Sequence, residues 1–262
     1  MRWTPDADER ALLIQYLRWP EVAQRLAKGF RTIVFAVGAT EQHGPHLPEL
    51  VDELLGTEYA TAVAKRLGDA LVAPTIRPGM SSQHIDFPGT IALRHETLKL
   101  LIEDYVRSLH RQGFRRFVVI SSHFGNRPSV QVICEELQRE FGRGAIIVPI
   151  YQPGLYLPKE ERFADLTEGF HANNFETSLM LHLAPSLVDM AAAAPDGVYP
   201  EVVDRMIARA QEPVKSFAAS GVLGHPERAN AATGAAAFEA LVENLAREVE
   251  QISAFLQAQH TD

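Results

Sequence analysis

Thiols are almost absent from this chain: Cys134 is its one cysteine. A disulfide within the chain is therefore excluded, and so sparse a use of cysteine suits a reducing compartment. The residue sits in "SVQVICEELQRE", which reads as an amphipathic helix, so it is expected to be a small buried hydrophobe rather than a nucleophile. Tryptophan is scarce too: Trp3 and Trp19 both lie near the N-terminus. No apolar run approaches the roughly 20 residues of a membrane span, and "MRWTPDADER" lacks the apolar core of a signal peptide. Lysine and arginine are outnumbered, and the formal charge is −8. That balance argues against a sequence-independent grip on nucleic acid. The expectation is a cytoplasmic protein that engages neither membrane nor nucleic acid.

What is present is an ordinary globular composition, 46% hydrophobic and 22% charged over 262 residues. No repeat, low-complexity tract or linker divides the chain, so residues 1–262 are read as a single domain. Four short apolar, β-branched runs predict strands: Thr32–Val37, Ala70–Pro74, Arg116–Ser121 and Ala145–Ile150. Their continuous apolar character suits strands buried on both faces of a parallel sheet. Helical patterns alternate with them at Asp52–Leu67, His95–Gly113 and Pro128–Phe141. Two more follow, roughly Pro200–Ser220 and Ala231–Gln259, joined by the Gly-rich "SGVLGHPERANAATG". Strand–helix alternation predicts an α/β fold.

In open α/β sheets, ligands bind beyond the carboxyl ends of the strands. The first strand runs into "GATEQHGPHLPELVDELLG", which places Glu41 and His43 one residue apart. In extended backbone, side chains at i and i+2 point the same way, so a carboxylate and an imidazole converge. Such a pair suits Zn²⁺ or Mn²⁺. Asp52, nine residues after His43, stands at a helix start, where a capping or dipole role is the plain alternative. The third strand runs into "SSHFGNRPS" with His123. That stretch also suits an anion-cradling loop at a helix N-terminus, though it lacks a Walker lysine. The third cluster, "GFHANNFETSLMLHLAP", sets His171 five residues before Glu176. Glu41, His43, Asp52, His123 and Glu176 together make an inventory for two divalent ions, with one carboxylate bridging. His171 is left free to move a proton.

Those stretches in their order resemble the creatininase family of metal-dependent hydrolases. "SSQHIDFPGTIALRHETL" and "SGVLGHPERANAATG" extend the likeness over roughly residues 10–250. The resemblance implies a three-layer α/β/α sandwich with a central, mostly parallel sheet, and commonly a homohexamer. It implies a centre of two Zn²⁺, Mn²⁺ or Fe²⁺ ions per chain. Glu41 and His123 would bind one ion and His43 the other, with Asp52 bridging. Creatinine-hydrolysing members take a further carboxylate from a His-x-Glu in the second motif. Here that motif reads His123-Phe124-Gly125, and Glu176 matches the position from which other members supply it. His171 matches the histidine that shuttles the proton to the leaving nitrogen.

Two departures bear on substrate. Creatinine-hydrolysing members close the pocket with two tryptophans near the third motif, where this chain has none. Many relatives carry an acid two residues before Glu176, where this chain has Asn174. His84, Phe124 and Asn174 are the candidate substrate contacts, and Tyr151, Tyr156 or Phe170 could line the pocket. The expected reaction is metal-assisted hydrolysis of a C–N bond in a cyclic amide or formamide of a small molecule. C–C hydrolysis of a cyclic ketone such as a dehydro-inosose is the alternative, and a non-catalytic anion- or nucleotide-binding module is the competing class. Among the other histidines, His46 is read as orienting a ligand, His95 and His110 as helix caps or surface, and His182 as core. His225 and His260 are read as surface positions.

Overall fold

The computed structural model describes residues 5–151, 169–197 and 212–258. Four strands form its central sheet: β1 (Thr32–Val37), β2 (Ala70–Val72), β3 (Arg116–Ser121) and β4 (Ile146–Tyr151). All neighbours are parallel, in the order β2-β1-β3-β4. Strand order reverses between β1 and β3, which run in register from Thr32↔Arg116 to Val37↔Ser121. A crevice opens at such a reversal because the two crossovers leave in opposite directions.

Side-chain alternation along each strand divides the core in two. Val34, Ala36, Val118, Ile120, Val148 and Ile150 face one layer of helices, α3 (Val51–Leu67), α6 (Asn174–Leu183) and α7 (Ala231–Ala258). Ile33, Phe35, Phe117, Val119 and Ile147 face the other, α4 (His95–Gln112) and α5 (Arg127–Phe141). The result is the α/β/α sandwich expected from the sequence. Phe35, Phe117, Ile33 and Ile120 are wholly buried. Each such side chain contributes roughly 1.5–3 kcal/mol by leaving water.

Two short N-terminal helices, α1 (Ala7–Arg10) and α2 (Trp19–Ala27), precede β1. They are unmarked by long periodicity, and the sequence reading missed them. It also missed a two-stranded antiparallel ribbon, β5 (Gly169–His171) with β6 (Leu223–Gly224). Residues 200–211 of the expected helix Pro200–Ser220 lie outside the described residues. From 212 onward that segment holds a single 3₁₀ turn, Val214–Ser216. His182, expected in the core, is exposed on α6, its ring 6.0 Å from that of Phe238. Its place at the outer edge of an otherwise apolar helix gave no periodic signal. No helix among the described residues is long and apolar enough to cross a membrane.

Candidate metal centre

The carboxyl ends of β1 and β3 meet at the crevice. The chain leaves β1 through Gly38–Thr40 and folds back on itself, with His43 bridged to Leu47. The third strand continues into His123. Between the two, Asn126 acts as a clamp. Its Nδ2 donates to the carbonyls of Val37 (3.1 Å) and Gly38 (2.9 Å), and its Oδ1 accepts from Met80 N–H (2.8 Å). The "SHFGN" turn therefore spends its asparagine on tying loops together.

Glu41, His43, Asp52, His84, His123 and His171 converge, all at least nine-tenths buried. Ligand-capable atoms of Glu41, Asp52 and His123 lie within 4.8 Å of one another, and so do those of His43, His171 and Glu176. Asp52 faces both groups. Its Oδ1 is 3.7 Å from His43 Nε2, and its Oδ2 is 3.4 Å from His123 Nδ1. Being the second residue of α3, it is delivered to the crevice by the helix start that the sequence marks.

Backbone carbonyls set which ring nitrogen is free. His43 Nδ1 donates to Glu41 O (3.1 Å), His123 Nε2 to Met80 O (3.1 Å) and His171 Nε2 to Gln42 O (2.8 Å). A neutral imidazole has one N–H, so His43 Nε2 and His171 Nδ1 keep their lone pairs toward the centre, and His123 Nδ1 presents one once its second proton is lost. Glu176 enters on the first turn of α6, whose start is capped by Asn173. Its Oε2 accepts the Ala172 N–H at 2.6 Å, and Ala172 holds φ +51°, a left-handed backbone that non-glycine residues seldom adopt. Strain of that kind persists where surrounding structure fixes it.

The electrostatics describe a site made for cations. Burial opposes the charge on Glu41, but the His123, His84 and His171 charges outweigh it and hold the carboxyl well below its usual range. Burial, reinforced by the Glu41 charge, pushes Asp52 well above its usual range. Burial raises Glu176 to about 7, partly opposed by the Ala172 N–H. His123 goes the other way: despite burial, the Glu41 carboxylate lifts it to about 9. Burial lowers His43, lowers His171, and takes His84 down to about 3. Three carboxylates packed together repel, and both Glu41 oxygens, His43 Nε2 and Asp52 Oδ2 are buried with no hydrogen-bond partner. Unpaired buried polar atoms are costly, and divalent cations held in the two ligand groups would satisfy them. The donor set, imidazole and carboxylate, suits Zn²⁺ or Mn²⁺.

The structure thus brings together every expected ligand and His171. His84, expected only as a substrate contact, is 2% exposed inside the cluster on the 3₁₀ turn Ser82–His84. Phe124 stands half-exposed beside His123. Asn174 is buried, its Oδ1 without a hydrogen-bond partner. His46 bonds Thr177 Oγ1 at 2.9 Å and so ties the first loop to α6 beside Glu176. Gln42, which carries no chemistry a sequence search would flag, lies in the middle of the cluster and was missed. Tyr156 lies outside the described residues, as does the Phe170 side chain.

A family model described as creatininase, creatinine amidohydrolase, matches residues 15–249. The chain belongs to the creatininase family. It is 32% identical over 226 residues to a mycofactocin precursor peptide peptidase of Mycolicibacterium smegmatis, covering 84% of each. It is 31% identical over 260 residues to the creatinine amidohydrolase of Pseudomonas putida, covering 92% of this chain and 97% of that one. A 3-dehydro-scyllo-inosose hydrolase of Thermotoga maritima is 27% identical over 197 residues, 71% of this chain and 62% of the relative. A mutant creatininase of Zn-Zn type superposes with TM-score 0.76 at 28% identity, and a manganese form with 0.74 at 28%. Both cover 92% of this chain and 98% of the other. This creatininase-family protein is a hydrolase with residue groups fit to bind metal.

Proposed function

We propose that this hydrolase cleaves a C–N bond in a cyclic amide or formamide of a small molecule, using two divalent ions held by Glu41, His43, Asp52, His123 and Glu176. The observation that carries the reading is Asp52, whose two oxygens face two different ligand groups. Bound there, the ions supply Lewis acidity for a carbonyl and bring the pKa of water toward neutrality. The protein's own part is orientation and proton transfer. Backbone carbonyls aim the ring lone pairs of His43 and His123, which removes the cost of finding the right tautomer. His171 accepts the proton of the attacking water at Nδ1 and returns it to the departing nitrogen. Phe124 at the rim and buried Asn174 would contact substrate, and Tyr151 offers an aromatic face near the end of β4.

Creatinine itself fits poorly. Trp19 is 82% exposed on α2, and it cannot form half of a clamp over the centre. The same machinery would also act on a peptide C–N bond, the substrate class named for the mycobacterial relative, or on a C–C bond of a cyclic ketone, as the name of the Thermotoga relative indicates. The acidic charge and lone cysteine support a cytoplasmic enzyme, and the family resemblance supports a homo-oligomer.

The test is mass spectrometry of a panel incubated with protein whose bound Zn²⁺ or Mn²⁺ has been quantified. The panel holds creatinine, other cyclic amides, formamides, short peptides and cyclic polyol ketones. Addition of water to a cyclic amide, or loss of formate, is the expected outcome. Turnover of only the ketones would overturn the bond class, and turnover of only the peptides would overturn the cyclic amide or formamide as substrate.

A further inference from the structure

Gln42 lies between Glu41 and His43, 5% exposed, and its amide is fully engaged. Its Oε1 accepts the Gly44 N–H at 2.8 Å. Its Nε2 lies 2.8 Å from His84 Nδ1, 3.0 Å from His171 Nε2 and 3.1 Å from the Gly221 carbonyl. The hydrogens in this knot can be counted. A backbone N–H only donates, so the atom facing Gly44 is the amide oxygen, which fixes the amide's orientation. The Gly221 carbonyl only accepts, so one Nε2 hydrogen goes there. The Gln42 backbone carbonyl, 2.8 Å from His171 Nε2, also only accepts, so His171 carries its hydrogen on Nε2. His171 Nε2, already protonated, cannot accept from the amide, so its 3.0 Å approach to Gln42 Nε2 is a close contact and not a hydrogen bond. The second amide hydrogen is left for His84 Nδ1, which must present a lone pair. The hydrogen of His84 is then on Nε2, 3.6 Å from Glu41 Oε1, while the bare Nδ1 of His171 lies 3.7 Å from the same oxygen.

We infer that Gln42 is a positioning residue that sorts the two histidines beside Glu41 into opposite roles: His84 presents an N–H to the centre and ligates no metal, and His171 presents a lone pair. Glu41, His84 and His171 have ligand-capable atoms within 4.8 Å, the spacing of a further ion site. A protonated nitrogen cannot coordinate, so this trio is not one. His84 instead steadies the Glu41 carboxylate or donates to a substrate oxygen.

The arrangement also gives the "SGVLG" stretch a purpose. Gly221 holds φ +83°, and a Cβ added there would fall 1.9 Å from Gln42 Oε1. Only bare backbone can press its carbonyl against the amide. That turn is pinned by Asp196, whose Oδ2 accepts from Ser220 N–H (2.9 Å) and Ser220 Oγ–H (2.7 Å). A loop remote in sequence thereby selects the proton positions in the cluster.

The functional role rests on the hydrolase reading above, but the hydrogen positions do not, and the experiment separates the two. Long-range proton–nitrogen correlation NMR on zinc-loaded, histidine-labelled full chain reads each ring tautomer directly. Expected are His84 with Nε2 protonated and Nδ1 bare, and His171 with Nε2 protonated. The Gln42→Leu variant should scramble the His84 tautomer and lower kcat on the order of tenfold with KM and metal content kept. His84→Ala should keep its metal content per chain. A wild-type His84 protonated on Nδ1, or loss of an ion in His84→Ala, would overturn the proposal. The wild-type spectrum decides even if a variant fails to fold. Correct tautomers in a protein that turns over none of the substrates would sink the reaction and leave the sorting standing.

Discussion

Asp52 and His123 meet at 3.4 Å, Oδ2 to Nδ1, while the other Asp52 oxygen lies 3.7 Å from His43 Nε2. One carboxylate thus couples two ligand groups that come from different strand ends. Asp52→Asn keeps the size and loses one of the two oxygens. Its metal affinity should fall by at least the 10–100-fold typical of lost supporting contacts, with the fold intact by circular dichroism. Elemental analysis after dialysis checks it. A variant that retains full metal would remove Asp52 from the centre.

Metal binding should be proton-linked. His123 is held up to about 9 and Glu176 to about 7, so near neutral pH His123 carries a proton on a ligand nitrogen. A cation must expel it, and raising the pH removes that competitor. Affinity should therefore climb with pH until His123 deprotonates and level off above about 9. Calorimetry at pH 7 in two buffers of different ionisation heat should report net proton release. Zero release would mean that His123 is neutral or is not a ligand.

Stripping the metal should destabilise the fold, because the repelling carboxylates lose their counter-charge. An ion present at a hundred times its dissociation constant stabilises by about 2.7 kcal/mol. For a chain of this size that corresponds to a Tm drop of roughly 5–10 °C in EDTA, reversed by added Zn²⁺. An unchanged Tm in protein shown to be metal-free would contradict the buried-ligand description.

Gly234 tests the packing behind the site. A Cβ there would lie 1.9 Å from the Ser178 carbonyl, where α7 crosses α6. Alanine is the better helix former by about 1 kcal/mol, so on exposed helix the change would stabilise. Here the obstacle is backbone, which cannot swing aside, and overpacking of this kind costs about 1–3 kcal/mol. Gly234→Ala should lower Tm, and because α6 carries Glu176, it should weaken metal binding as well. A raised Tm would show that the two helices can part without cost.

Most of the sheet was readable from the chain. Thr32–Val37 and Arg116–Ser121 appear with the same bounds, the helices at 51–67, 95–112 and 127–141 differ from their expected ranges by one residue at an end, and the helix from Ala231 runs to Ala258, where the described residues stop. Buried parallel strands need unbroken apolar runs, and helices against them need a periodic face, so both leave strong local patterns. The ribbon of Gly169–His171 with Leu223–Gly224 left none. Its partners are short and lie about fifty residues apart, and their pairing depends on where the layers bring them.

The site divides along the same line. Sequence alone determined the ligand types and their carriers: acids and histidines placed where apolar runs end announce a strand end built for something charged. Tertiary structure alone decided how they are used. Asp52 was indistinguishable from a helix-start acid until α3 was docked at the reversal of strand order. His84 and Gln42 were an ordinary loop histidine and an ordinary amide until the turn at Gly221 closed over them. Hydrogen bonds direct protons over about 3 Å. Contacts between residues 42, 84, 171 and 221 exist only after folding, so no local stretch of sequence could record them.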